Sequence, residues 1–409
     1  MLSLILLAAA AFAQSPEPIR FTASGQEVAY LHAAGDAGAP VLVVLPAQPE
    51  TAAAEFKNWS QIASIRKWTL VLPQTIAGGD AGVKMLDALV QDVRRRLQLS
   101  SAPMYLCGSG PASPMVFYAV ARAPYLWSAG LAIGGDPKLA IDTDRLFAAN
   151  TSLVPVAWAV SPQEKEAYAA PYQKLLTGGF NIQRLESPTT QAALDFLAGH
   201  RYTEYPAKID CETGNPALAR CYWVVPIRFD ASLRNDAVLS SRIPPDPRAS
   251  LDFGGFGFKP DEPGPGVAVE WLPPDYKGPL QLHDRILMLS GTRIADPRHY
   301  RELMGHITEE RPVTVTIERG KEKIRLTTHY RLRKREEVLT ARVQASYFSD
   351  SREIMIVSRT VSALKIMVPP AWAPVSISWN GSQAAKPQEG GCLELSLQEP
   401  GGKPCAAFP

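Results

Sequence analysis

The stretch Met104-Tyr105-Leu106-Cys107-Gly108-Ser109-Gly110-Pro111-Ala112-Ser113 decides the fold. Met104 to Cys107 is an apolar strand, the glycines turn the chain, and helical sequence follows. Where such a strand runs into a Gly-x-Ser-x-Gly turn, the central hydroxyl is lifted over the top of the sheet. Here Gly108 fits the first glycine, so the third position, which must supply an attacking oxygen, is Gly110. Hydrogen cannot attack a carbonyl.

Strand and helix alternate around this turn from residue 20 to about 200. Val41–Leu45, Trp68–Leu72, Val154–Val160 and Phe180–Leu185 read as strands, as does Gly130–Ile133. Helical stretches lie at Ala52–Lys67, Val83–Leu97 and Thr190–Gly199. Such alternation predicts a mostly parallel sheet covered on both faces. Residues 18–203 therefore resemble an α/β-hydrolase domain, in particular that of secreted esterases of the polyhydroxybutyrate-depolymerase kind.

The resemblance implies four functional parts. The nucleophile position is Gly110. The oxyanion loop after the first long strand reads Leu45-Pro46-Ala47-Gln48, and Pro46 has no N–H to give. The acid is expected after Val154–Val160, where Glu164 stands. The base loop reads Glu186-Ser187-Pro188-Thr189-Thr190 and contains no histidine. His200 follows the next helix, and a rearranged pair of Ser109 with His200 is the one residual route to an activated hydroxyl. The domain reads as catalytically inert, with Ser109, Glu164 and His200 as residual candidates. Without that ancestry the glycines would form a plain strand-to-helix turn able to bind phosphate. Pro111 and Ala112, however, interrupt any dinucleotide fingerprint, and no cofactor is expected.

The second specific signal lies between residues 240 and 332. Gly255-Phe256-Gly257-Phe258 is followed by Leu282-His283-Asp284-Arg285-Ile286-Leu287-Met288-Leu289-Ser290-Gly291. Then come a helix over Pro297–Ile307, a strand over Val313–Ile317, the turn Arg319-Gly320-Lys321 and a strand over Lys323–Thr327. This order resembles a PDZ domain, with its Gly-Leu-Gly-Phe loop. The resemblance implies capture of a peptide or protein C-terminus by Gly255, Phe256, Gly257 and Phe258, with His299 facing the groove. Pro260 and Pro263 fall where the peptide-pairing strand should continue, which predicts a short groove or a module that only packs on its neighbours.

The flanking segments, 204–239 and 333–402, read as one discontinuous β domain interrupted by that module. Arg220–Val224 and Val361–Ile366 alternate like half-buried strands, and Val375–Gly381 ends in a hairpin signal. The fold class is thus α/β plus β: a hydrolase-like parallel sheet, then a β-sandwich-like domain holding a PDZ-like insertion. The basic run Arg331-Leu332-Arg333-Lys334-Arg335 reads as a solvated exit strand.

The bulk composition of the 409 residues fits this picture. A hydrophobic content of 46% with 20% charged residues is globular, and a net charge of +2 gives no general pull toward nucleic acid. Residues 1–13 are apolar and end in Ala11-Phe12-Ala13, a signal-peptide pattern too short to span a membrane. Export to a periplasm or the outside is expected, with no later membrane span. Of five cysteines, Cys107 reads as a buried small hydrophobe, whereas Cys211, Cys221, Cys392 and Cys405 allow three disulfide connectivities. No Cys/His cluster has metal-binding spacing. The preferred function is an exported, non-catalytic binding or scaffold protein. The alternative is a divergent secreted esterase or peptidase whose PDZ-like part recruits substrate.

Overall fold

The computed structural model describes residues 17–23, 25–99, 101–141, 143, 145–185, 189–243, 249–259, 262–332, 338–399 and 401–408. The signal-like segment 1–13, the base-loop residues 186–188, Pro260 and the basic residues 333–335 lie outside them. The chain forms two compact units, Met1–Pro244 with Val338–Pro409, and Pro245–Glu337.

The first unit opens with an eight-stranded sheet of β1 (Ile19–Ala23), β2 (Gln26–Ala33), β3 (Val41–Leu45), β4 (Thr69–Pro73), β5 (Met104–Ser109), β6 (Ala129–Ile133), β7 (Val156–Ala159) and β8 (Ile182–Leu185). Their order is β1-β2-β4-β3-β5-β6-β7-β8. β3 to β8 run parallel, whereas β1–β2 and β2–β4 are antiparallel. This is the expected α/β sheet, extended at one edge by a hairpin.

The helices are α1 (Ala52–Ile65), α2 (Gly79–Leu97), α3 (Ser113–Arg122), the short α4 (Lys138–Ile141) and α5 (Ala148–Thr151), α6 (Ala169–Thr177) and α7 (Thr190–Ala198). All five side chains of β3 are buried, and they alternate between two cores. Val41, Val43 and Leu45 meet Leu86 and Leu89 of α2 and Phe117 of α3. Leu42 and Val44 meet Phe56 and Trp59 of α1 and Leu194 of α7. A strand buried on both faces reads as an unbroken apolar run for this reason.

β9 (Lys208–Thr213) and β10 (Val224–Phe229) begin the β-rich part of the first unit. The second unit follows, with β11 (Ala249–Leu251), β12 (Val267–Ala268), β13 (Arg285–Leu289), β14 (Thr292–Arg293), α8 (Pro297–Gly305), β15 (Pro312–Arg319) and β16 (Glu322–Leu332). It holds one sheet in the order β11-β16-β15-β13-β12, with β14 on β13. Its own core contains Phe253, Val267, Ile286, Tyr300, Val315 and Ile317. The chain enters and leaves it side by side, because Ala249 pairs with Leu332.

The first unit resumes with β17 (Ala341–Phe348), β18 (Glu353–Arg359), β19 (Val361–Val368), β20 (Ser376–Trp379), β21 (Ser382–Ala385), β22 (Gly391–Ser396) and β23 (Lys403–Pro404). Two sheets, β10-β19-β22-β23 and β21-β20-β18-β17-β9, share one core that includes Trp223, Val343, Ile366 and Trp379. Asn380 and Gly381 take φ values of 49° and 81° at the β20–β21 turn, as an Asn-Gly hairpin requires. Arg220–Val224 is not the strand expected. Tyr222 has φ 51°, and Cys221 and Val224 exchange backbone bonds of 2.8 and 2.9 Å, so a tight turn precedes β10. The disulfides are Cys211–Cys221 and Cys392–Cys405, and Cys107 is free and buried.

Candidate functional site

β5 ends at Ser109, a single 3₁₀ turn spans Gly110–Ala112, and α3 starts at Ser113. The backbone explains each glycine. A Cβ on Gly108 would lie 2.9 Å from the Ala112 carbonyl oxygen. Gly110 has φ 51°, and a Cβ there would meet nothing within 4 Å. The elbow therefore presents residue 110 to open space in the left-handed conformation expected of a nucleophile seat, but the residue is glycine. Gly135, in the loop leaving β6, packs so closely that a Cβ on it would fall 2.2 Å from the Gly110 carbonyl oxygen. That loop is pinned by Trp158, whose indole N–H donates to the Gly134 carbonyl at 3.0 Å. The hydroxyl of Ser113 lies 2.9 Å from the Ile133 carbonyl.

Two features missed in the sequence concern the oxyanion donors. Such a hole uses the N–H of the residue after the nucleophile and one from the loop after the corresponding strand. The first would come from Pro111, which has none. In the second loop the Ala47 N–H donates to the Glu55 carboxylate at 3.1 and 3.3 Å, and the Thr51 hydroxyl donates to the same group. The Ala47 N–H is thus taken by a carboxylate and would not be free to receive an oxyanion. Pro111 was readable in the sequence. Glu55 was not, because its role depends on the first turn of α1 lying against the end of β3. Burial, reinforced by the Glu55 charge, pushes the Cys107 thiol far above its ordinary pKa, so it stays protonated and unreactive.

Glu164 does reach the elbow end of the sheet. Its Oε1 would be 3.7 Å from a Cβ on Gly134. Its other oxygen accepts the Ser161 N–H at 3.2 Å and the Ser161 hydroxyl at 2.6 Å, so it closes its own turn. His200 lies at the opposite end. The Tyr105 hydroxyl, near the start of β5, donates to the His200 carbonyl at 3.0 Å. Four residues of strand, about 13 Å, separate Tyr105 from Ser109. The His200 ring stands edge-on to Phe196 at 4.7 Å, and burial lowers its pKa. The rearranged Ser109–His200 pair is therefore corrected: α7 runs antiparallel to the strands and carries its C-terminus away from the elbow. Among the described residues neither an imidazole nor a carboxylate hydrogen-bonds to the Ser109 hydroxyl.

In the second unit Gly254 and Gly255 have φ 78° and 92°, and Gly257 forms a single bridge with Trp271. Gly257 donates to the Trp271 carbonyl at 2.8 Å and accepts from Glu270 at 2.9 Å. The N–H groups of Gly255, Phe256 and Phe258 have no partner among the described residues. Phe258 meets Tyr300 of α8 edge-on at 5.5 Å, and half-buried Phe256 and Leu303 pack on the same core. His299 is partly committed: its Nδ1 accepts the Ala295 N–H at 3.1 Å, while its backbone N–H donates to the capping Asp296 at 2.8 Å. Pro263 uses its carbonyl to accept from Arg285 at 3.3 Å.

Among the described residues no group of three or more His, Cys, Asp or Glu side chains is arranged to hold a metal ion, and no helix is long and apolar enough to cross a membrane.

No family model matches the chain, and no curated protein matches its sequence. Among solved structures it is similar to a thermostable esterase at 14% identity, covering 46% of this chain and 63% of that one, with a TM-score of 0.34. It is similar to dienelactone hydrolase from Anabaena variabilis at 8% identity, covering 46% and 99% of the two chains, with a TM-score of 0.37. Poly(aspartic acid) hydrolase-1 from a Sphingomonas species stands at 11% identity, 45% and 99% coverage and a TM-score of 0.36. Nothing about this chain's chemistry follows from likenesses at these identities and TM-scores.

Proposed function

We propose that this chain is an exported, non-catalytic binding or scaffold protein. Its hydrolase-like domain lacks a working acyl-transfer site, and its PDZ-like module captures the C-terminus of a peptide or protein. The observation that carries the first half is the Glu55 carboxylate on the Ala47 N–H, beside Gly110 and Pro111. The unpartnered N–H groups around Gly257 support the second half. The paired cysteines are compatible with export, and cleavage after residue 13 delivers the chain to a periplasm or outside the cell. Fractionation of cells expressing the full chain, with mass spectrometry of its amino terminus, tests that step.

Purified protein is expected to turn over short-chain aryl esters no faster than buffer, and to resist covalent serine probes. Turnover that disappears on Ser109→Ala would establish the divergent-esterase reading instead. Gly110→Ser should fold, because a Cβ there meets open space and left-handed backbone costs a non-glycine residue only about 1–2 kcal/mol. It should still fail to hydrolyse, since a hydroxyl without a base stays weak. A tenfold rise in rate would overturn the inert reading.

A C-terminal peptide library should yield ligands whose affinity falls at least tenfold more on Gly257→Asp than on Gly257→Ala. Both variants place a Cβ 3.2 Å from that of Trp271, so the difference reports repulsion between the new carboxylate and the peptide's own. A library without hits counts against peptide capture.

A further inference from the structure

We infer that the groove of the second unit selects peptides carrying an acidic side chain close to their C-terminus, through Arg301. This deepens, and rests on, the peptide-capture reading above. The floor of the groove is apolar, with half-buried Phe256, Phe258 and Leu303 packed on the core, which suits an apolar last residue. Its rim carries uneven charge. Lys259 is answered by Glu270 at 3.2 Å, and Arg298 by Glu302 at 3.4 Å. Arg301 has no carboxylate partner among the described residues. Its guanidinium instead lies over the ring of Phe258, 5.5 Å from the centroid.

That contact has two consequences. A cation over an aromatic face is attracted by the ring, and this contact leaves the guanidinium N–H groups open to a carboxylate. It also puts the positive charge over the last residue of the glycine loop, where the last residues of a captured peptide would lie. A charge pair formed there uses a planar fork whose N–H groups are pre-arranged, so less side-chain freedom is lost per hydrogen bond than for a lysine.

The test uses the full chain and fluorescein-labelled Gly/Ser decapeptides ending in leucine, valine or phenylalanine. Glutamate or lysine is placed in turn at each of the three positions before the last residue. At one of those positions the glutamate peptide should bind about fivefold tighter than the lysine peptide, with the gap closing as salt rises from roughly 0.05 to 0.5 M. Arg301→Lys should keep the preference, Arg301→Gln should level it, and Arg301→Glu should invert it. Peptides that bind and weaken on Gly257→Asp but show no charge preference, or one unchanged in Arg301→Glu, overturn the role of Arg301 while peptide capture stands. Failure of every peptide to bind overturns both.

Discussion

Replacing Arg122 by alanine is expected to destabilise the first unit by about 3–5 kcal/mol, the usual cost of removing one partner from a buried ion pair. The Arg122 side chain is 2% exposed and Asp80 19%. The pair is bidentate, with Nε 3.0 Å from Oδ1 and Nη2 3.1 Å from Oδ2. Asp80 also accepts from the Tyr118 hydroxyl at 2.7 Å and from the Asn215 amide at 2.8 Å. It thereby ties α2 and α3 to the β-rich part.

Burial alone would raise the Asp80 pKa, but the Arg122, Asn215 and Tyr118 hydrogen bonds outweigh it and hold the group down to about 2. A carboxyl depressed on folding stabilises above its unfolded pKa, and the benefit is lost as pH falls through the folded value. Between pH 4 and 2 the protein should therefore lose roughly 2 kcal/mol through this group. Urea unfolding across that range should show a shallower acid limb in Asp80→Asn. An identical limb would refute the assignment.

Glu212→Ala should cost roughly 3 kcal/mol at pH 7, for a different reason. The side chain is 1% exposed. Its carboxylate accepts from the Thr340 hydroxyl at 2.6 Å, the Ser241 N–H at 2.6 Å and the Ser241 and Ser240 hydroxyls at 2.8 and 2.6 Å. Removing it orphans several donors, each worth about 1–3 kcal/mol when left buried without a partner. The exposed Ser240 hydroxyl can turn to water, which limits the sum. Glutamine should recover only part of the loss, because its NH₂ group faces donors. A urea midpoint for Glu212→Ala within error of the natural protein would sink this account.

The strand-turn-helix at 104–122 was legible because a doubly buried strand is a plain apolar run and the elbow's glycines answer to backbone sterics. The β1–β2 hairpin was not singled out, although Ser24-Gly25 between alternating residues carries the signal. Cysteine arithmetic left three pairings open, and only the turn at Tyr222 and the β22–β23 contact decide between them. The displacement of His200 depends on the direction of α7, and the occupation of the Ala47 N–H on a contact between α1 and the end of β3. Neither is encoded in local spacing.

Ser240 and Ser241 stand just before the second unit, and Thr340 just after it, so one carboxylate gathers both of its tethers. The ends of the inserted segment pair over three positions, Ala249–Leu251 with Tyr330–Leu332, so its length adds little closure entropy to the rest of the chain. An insertion closed at its own base can therefore change in length while the two flanking sheets keep their register.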